Sequence, residues 1–201
     1  MSKFIVIEGP DGTGKSTVVN GLKEYYKNKK VKFFREPGGS EIGEKIREIL
    51  LDKNNQISPK TEALLFAAMR SENYEMLKKD LKEYDLIIAD RFLMSSICYQ
   101  GAGLGLGMKE IEELNDFALG GFRPNLYIVL MIEADKGIDR KINQRELDRL
   151  ELRGIDFHSK VEDAYRKLNN EPNVKVINAN QSKEDVLKDV ICSIDEVVGS
   201  I

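Results

Sequence analysis

Positions 9–16 read GPDGTGKS, and the Gly-x-x-x-x-Gly-Lys-Ser spacing fits the Walker A pattern in full. The chemistry of that pattern is phosphate binding. Gly9, Gly12 and Gly14 allow backbone conformations closed to other residues, so successive N–H groups can face phosphate oxygens along a loop that also contains Pro10, Asp11 and Thr13. The helix that follows through Thr17 adds the partial positive charge of its N-terminus. Lys15 would reach the β- and γ-phosphates of ATP, and Ser16 would hold Mg2+.

Other residues supply a second constellation. Asp90-Arg91-Phe92 closes an apolar run, which places Asp90 to approach the metal through water and Arg91 to neutralise a phosphoryl group in flight. The alternative is an Asp–Arg pair that only caps a strand. Phe66 and Arg70 stand at i and i+4, on one helix face. A ring there can stack on a base while the guanidinium donates to a base carbonyl; the alternative is a core phenylalanine beside a surface arginine. Arg145, Arg149 and Arg153 lie one helical turn apart. They fit a mobile lid that delivers guanidiniums to the ATP phosphates, or a solvated face shared with Glu146, Asp148 and Glu151. The glycine-rich stretch 101–107 resembles a dinucleotide loop, but the G-x-G-x-x-G spacing fails at Leu106 and the stretch follows a helix. It reads as a flexible turn.

The elements that must position these residues alternate between two periodicities. Strands are predicted at 4–8, 31–35, 86–90, 126–132 and 174–178. Helices are predicted at 16–29, 40–50, 58–83, 94–99, 109–119, 136–149 and 157–168, and from Ser182 onward. Ser58-Pro59 marks a helix start, with serine as cap and proline at the first helical position, and the stretch opening at Ser182 resembles a capping box. Strands apolar on both faces belong in a parallel sheet covered on both sides, so the expected fold is a doubly wound α/β domain. Ligands in such sheets bind beyond the carboxyl ends of the strands, where Glu8, Arg35 and Asp90 are predicted to stand. No linker divides the chain, so one domain spans 1–201, with a lid at about 143–156.

With 31 basic against 34 acidic residues, the net charge of -3 argues against a broad nucleic-acid surface. Two cysteines without C-x-x-C spacing and a lone His158 argue against a zinc site or disulfide framework. No segment approaches the roughly 18–20 apolar residues of a membrane span. The expectation is a cytoplasmic protein with reduced thiols.

The guanine-reading N-K-x-D of GTPase switches is absent, as is an L-S-G-G-Q-like signature. What is present resembles the bacterial thymidylate kinases over nearly the whole chain: FIVIEGPDGTGKS at the start, REPGGS at 35–40, EALLFAAMR at 62–70, DRFLMSSICYQG at 90–101, RPNL at 123–126 and RELDRLE at 145–151. The loop alone is generic; segments 62–70 and 90–101 together are specific. The resemblance implies a P-loop NTPase fold, with a five-stranded parallel sheet, helices on both faces and a short helical lid. It implies phosphorylation of dTMP by Mg-ATP and a homodimer packed across a two-fold axis. It also implies that Phe66 stacks on thymine, Arg70 donates to its O4, and Ser96 and Gln100 lie at the base. Tyr99 would pack under the sugar, and Asp11 and Arg91 would face the acceptor's sugar and phosphate, with Arg35 in the same acceptor-binding set. Asp11-Gly12-Thr13 resembles the subtype that supplies arginine from the lid rather than the loop. Asn125 replaces a more usual aspartate and Ala134 a proline. Glu36-Pro37 is a candidate cis bond. The rival readings are a kinase for another nucleoside monophosphate or a deoxynucleoside, and a non-catalytic ATP-binding regulator.

Overall fold

Along the inner strands, side chains bury alternately on the two faces of one sheet. Phe4, Val6, Ile87, Ala89, Tyr127 and Val129 enter one core; Ile5, Ile7, Leu86, Ile88, Ile128 and Leu130 enter the other. In this computed structural model, which describes residues 2–132 and 148–199, five strands carry that pattern. They are β1 (Lys3–Glu8), β2 (Val31–Arg35), β3 (Leu86–Asp90), β4 (Leu126–Met131) and β5 (Val174–Asn178). All pair in parallel, in the order β2-β3-β1-β4-β5. The register sets Asp90 beside both Ile7 and Arg35, which brings the carboxyl ends of β1, β2 and β3 together.

The first core is covered by α3 (Pro59–Glu83), α4 (Leu93–Ser96), α5 (Met108–Leu119) and α6 (Ile155–Leu168). The second is covered by α1 (Lys15–Tyr25) and α7 (Lys183–Val198). A third, small cluster joins α2 (Glu41–Leu51) to α3 through Leu50, Phe66 and Met69, with Leu150 packed against it. Serine caps fix three helix starts. Ser40 accepts from Gly43 N, Ser58 from Thr61 N, and Ser182 from Asp185 N.

Two local readings are corrected. Helix α1 stops at Tyr25 rather than Lys29, because the chain must reverse into β2, and Lys29 N and Val31 N bond to Tyr26 O and Lys29 O instead of continuing the helix. The helix expected at 94–99 is α4 followed by a π-helical segment, Ile97–Gly103, so the first glycines of the supposed turn belong to it. They are there for contact: a Cβ at Gly103 would lie 2.5 Å from the Phe157 ring. The helix expected at 136–149 falls mostly outside the described residues, as do Ala134 and Arg145. Of the lid, 148–154 form turns and bends, and α6 begins at Ile155.

Asn125 is a sheet staple: its Oδ1 accepts from Phe4 N and its own N–H donates to Phe4 O, both at 2.8 Å. The Glu36-Pro37 bond is cis. Cys98 is buried, Cys192 is exposed, and both are free. Among the described residues no helix is long and apolar enough to cross a membrane.

Candidate active site

The carboxyl ends of the strands open into one cleft of about 1010 Å³. Its floor is the loop between β1 and α1 with the first turn of α1, from Asp11 to Thr17. Gly9 begins that loop at φ +134°, where a Cβ would sit 2.3 Å from Leu130 O, so only glycine fits. Gly12 and Gly14 also have positive φ. Lys15 Nζ donates to Gly9 O (2.8 Å) and Pro10 O (2.7 Å), and Thr13 Oγ1 donates to Pro10 O. Burial first, and the Arg91 guanidinium second, push the Lys15 ammonium down to about 7.

Beside the loop stands Arg91, held at φ +70°, a left-handed conformation uncommon outside glycine. Arg91 N donates to Ile7 O (3.0 Å) and Phe92 N to Glu8 Oε1 (2.9 Å), which pin the peptides on both sides. The Arg91 guanidinium donates to Asp11 Oδ1 (2.5 Å), Gly9 O, Ser95 Oγ and Tyr99 Oη, and lies over the Tyr99 ring at 5.0 Å. Behind it Glu8 is wholly buried at the end of β1. Besides Phe92 N, it accepts from Ser95 N (3.1 Å), Ser95 Oγ (2.7 Å) and Tyr165 Oη (2.8 Å). Burial raises the Tyr99 and Tyr165 phenols well above their ordinary value, so both remain protonated donors.

On the α3 side the cleft is walled by Phe66, Arg70, Ser96, Tyr99 and Gln100. Phe66 belongs to the small third cluster and also lines the cleft. Arg70 is no surface residue, being 1% exposed. Its five N–H groups all have protein acceptors: Nε and Nη2 on Glu36 Oε2 (2.9 and 2.6 Å), Nη1 on Ser96 Oγ (3.0 Å) and Asn115 Oδ1 (2.5 Å), and Nη2 on Phe92 O (3.2 Å). Arg35 sits on the lip, paired with Glu44 at 3.0 Å.

The lid residues Asp148, Leu150 and Glu151 line the cleft, while Arg149 and Arg153 direct their guanidiniums at Glu62 on α3. Arg149 Nε also donates to Leu50 O at 2.8 Å. Their side chains are 12% and 18% exposed, which rules out a solvated face. Ser16 and Asp90 both line the cleft and offer hard oxygen donors of the kind Mg2+ takes. Among the described residues there is no cluster of three metal-ligating side chains.

The sequence reading missed several parts of this site. It placed Glu8 at the ligand end of its strand but gave it no role. It missed Glu36 and Asn115, which complete the Arg70 network, and Glu62. It also missed the far wall of the cleft, built by Ala179, Gln181, Ser182, Lys183 and Val186 after β5.

A family profile described as thymidylate kinase matches residues 7–190. Curated proteins named thymidylate kinase from Clostridium novyi and Finegoldia magna are each 42% identical, over 93% and 94% of this chain and 95% of their own length. One of the same name from Bacillus velezensis is 40% identical over 98% of this chain and 97% of its own. Among solved structures, the crystal structure of thymidylate kinase from Ehrlichia chaffeensis matches with a TM-score of 0.78 at 28% identity, covering 96% of this chain and 98% of that one. The parallel sheet with its Walker A loop is therefore a P-loop NTPase fold, and the chain belongs to the thymidylate kinase family.

Proposed function

We propose that the chain transfers the γ-phosphoryl group of ATP to dTMP, giving dTDP and ADP on the way to dTTP. The observation that carries this is the cleft of about 1010 Å³. It holds the phosphate loop between two walls, one with Phe66, Arg70 and Gln100, the other with Ala179 to Lys183. Two nucleotides whose phosphates meet over Lys15 fit that plan. The acceptor base takes the α3 wall, and the nucleoside of ATP takes the wall after β5.

In this reading the N–H groups of residues 11–17 cradle the ATP phosphates and Lys15 follows the transferring group. Arg91 and Asp11 align the acceptor phosphate, with Arg35 at the entrance. Ser16, and Asp90 through water, would hold Mg2+, which when bound neutralises the phosphate oxygens. Tyr99 packs under the acceptor sugar and disfavours a 2′-hydroxyl. Arg145, Arg149 and Arg153 are the lid cations. A general base is not required, because the acceptor phosphate is largely ionised near neutral pH. The enzyme's work is alignment and charge stabilisation. We take it to act in the cytoplasm as a homodimer, which light scattering on the purified chain tests.

Phe66 stacks on any base, so Arg70 and Gln100 must select. Because every Arg70 N–H already has an acceptor, a base carbonyl has to share or replace one of them. The Ser96 hydroxyl can turn and is the partner able to yield. Acceptors should rank dTMP, then dUMP, then UMP, with cytidine and purine monophosphates poorer by about 10⁴ where the carbonyl contact is lost. An ADP-release assay with saturating Mg-ATP measures this. A dCMP or dGMP rate equal to that with dTMP would remove the roles of Phe66 and Arg70. ADP release preferring another monophosphate or a deoxynucleoside would make the chain that kinase instead. No ADP release with any acceptor would make it an ATP-binding regulator.

A further inference from the structure

Glu62 lies in the first turn of α3, where the positive end of a helix favours a carboxylate, and its side chain is wholly buried. Oε1 accepts from Gln100 Nε2 at 2.9 Å. Oε2 accepts from Arg149 Nη2 and Arg153 Nη2, each at 2.6 Å. Phe66 follows one turn later on the same helix. A single carboxylate thus touches the base wall with one oxygen and the lid with the other. Stability is a weak reason for such a group, because apolar side chains of similar volume often replace buried ion pairs at no loss.

The Gln100 contact has a chemical consequence. A carboxylate only accepts, so it takes the NH2 end of the amide and turns the carbonyl end the other way. Gln100 also lines the cleft. The base edge then meets a carbonyl acceptor from Gln100 beside guanidinium donors from Arg70. That order suits an imide, in which a ring N–H stands next to a carbonyl, as in thymine and uracil. Cytosine offers the reverse order, a ring acceptor next to an amino group.

We infer that Glu62 is a positioning residue that ties base selection to lid placement, fixing the polarity of the Gln100 amide while mooring Arg149 and Arg153. The inference rests on the acceptor site proposed above. It also explains why the lid guanidiniums point to α3: a base seated on Phe66 and Gln100 bears on the same carboxylate that holds the lid.

Glu62→Gln tests it by two readouts. Without nucleotide, tryptic cleavage after Arg149 and Arg153 should speed up by about tenfold, the equivalent of one charge-assisted hydrogen bond. The ratio of kcat/KM for dTMP over dCMP should fall by about tenfold as well, because an amide at 62 presents either end and frees the Gln100 amide to turn. Unchanged cleavage overturns the mooring, and an unchanged ratio overturns the orienting role. A change confined to the melting temperature overturns both. Should Glu62→Gln not fold, the wild-type chain still decides. Saturating dTMP alone should slow cleavage after Arg149 and Arg153, and no slowing overturns the coupling. A wild-type chain that releases no ADP with dTMP would sink the acceptor reading, while nucleotide-free cleavage still reports on the mooring.

Discussion

Replacing Glu8 by alanine strips the acceptor from Phe92 N and Ser95 N, two buried backbone donors that open α4. Each orphaned donor costs about 1–3 kcal/mol, so the pair costs about 2–6 kcal/mol. The two hydroxyls that also serve Glu8 add little, because Ser95 Oγ and Tyr165 Oη already lie 3.0 Å apart and can satisfy each other. Against a total stability of about 5–15 kcal/mol for a domain, that loss is large. Glu8→Gln should be milder. Its carbonyl oxygen can keep both backbone donors, its NH2 can face the hydroxyls, and only the charge assistance is lost. Function should suffer more than stability in the glutamine variant. The left-handed Arg91 costs on the order of 1–3 kcal/mol and persists only because the peptides around it are pinned. Weakening the Phe92 N bond lets Arg91 relax and lose its aim at Asp11 and Gly9 O, so turnover should fall by about tenfold or more. Urea unfolding and ADP release measure the two effects. A Glu8→Ala protein within about 1 kcal/mol of the parent would refute the orphan-donor reasoning. A Glu8→Gln protein with parental turnover would refute the link to Arg91.

Lys15→Ala should keep the fold and lower turnover by about 10² to 10³, the usual cost of one preorganised charge stabiliser; near-normal turnover with an unchanged circular dichroism spectrum would sink the loop assignment. Arg149→Ala and Arg153→Ala should each lower kcat by more than about tenfold while raising KM less, the mark of an interaction made in the transition state. Flat kinetics for both and for the double variant would leave the two residues purely structural. Chelation by EDTA should abolish ADP release and excess Mg2+ should restore it, and activity that survives chelation removes Ser16 and Asp90 from a metal role.

What sequence could reveal followed from how local each signal is. Helix α3 was legible from cap to end, because Ser58, Pro59 and the apolar spacing act within a few residues of one another. The π-helical segment after α4 was not, since its bond pattern has no periodicity that Gly101 and Gly103 would announce. Phe66 and Arg70 were legible as a pair on one face, yet the burial of Arg70 was not. Its partners Glu36, Ser96 and Asn115 lie 34, 26 and 45 positions away. Glu62 was hidden by its own plausibility, because an acid in a first helical turn looks like a complement to the helix dipole. Tyr165, 157 residues from Glu8, looked like any apolar-face aromatic of a late helix.

Four arginines in and beside the cleft, Arg70, Arg91, Arg149 and Arg153, sort by how their carboxylates enclose them. Arg70 and Glu36 are each 1% exposed at the side chain, and the guanidinium has no donor to spare. A group held so completely is fixed in direction, which in the proposed reading suits facing a base edge, with the Ser96 hydroxyl the one partner able to yield. Arg91 with Asp11, and Arg149 and Arg153 with Glu62, keep 12–18% of the guanidinium side chain exposed. A cation meant for a migrating phosphoryl group must be held before the anion arrives and must exchange its carboxylate for phosphate oxygens afterwards. Full enclosure would forbid that exchange, and full solvation would leave the cation unaimed and screened. Partial burial beside a single carboxylate oxygen meets both demands, and in the proposed reading it separates the cations that follow charge from the arginine that faces the base.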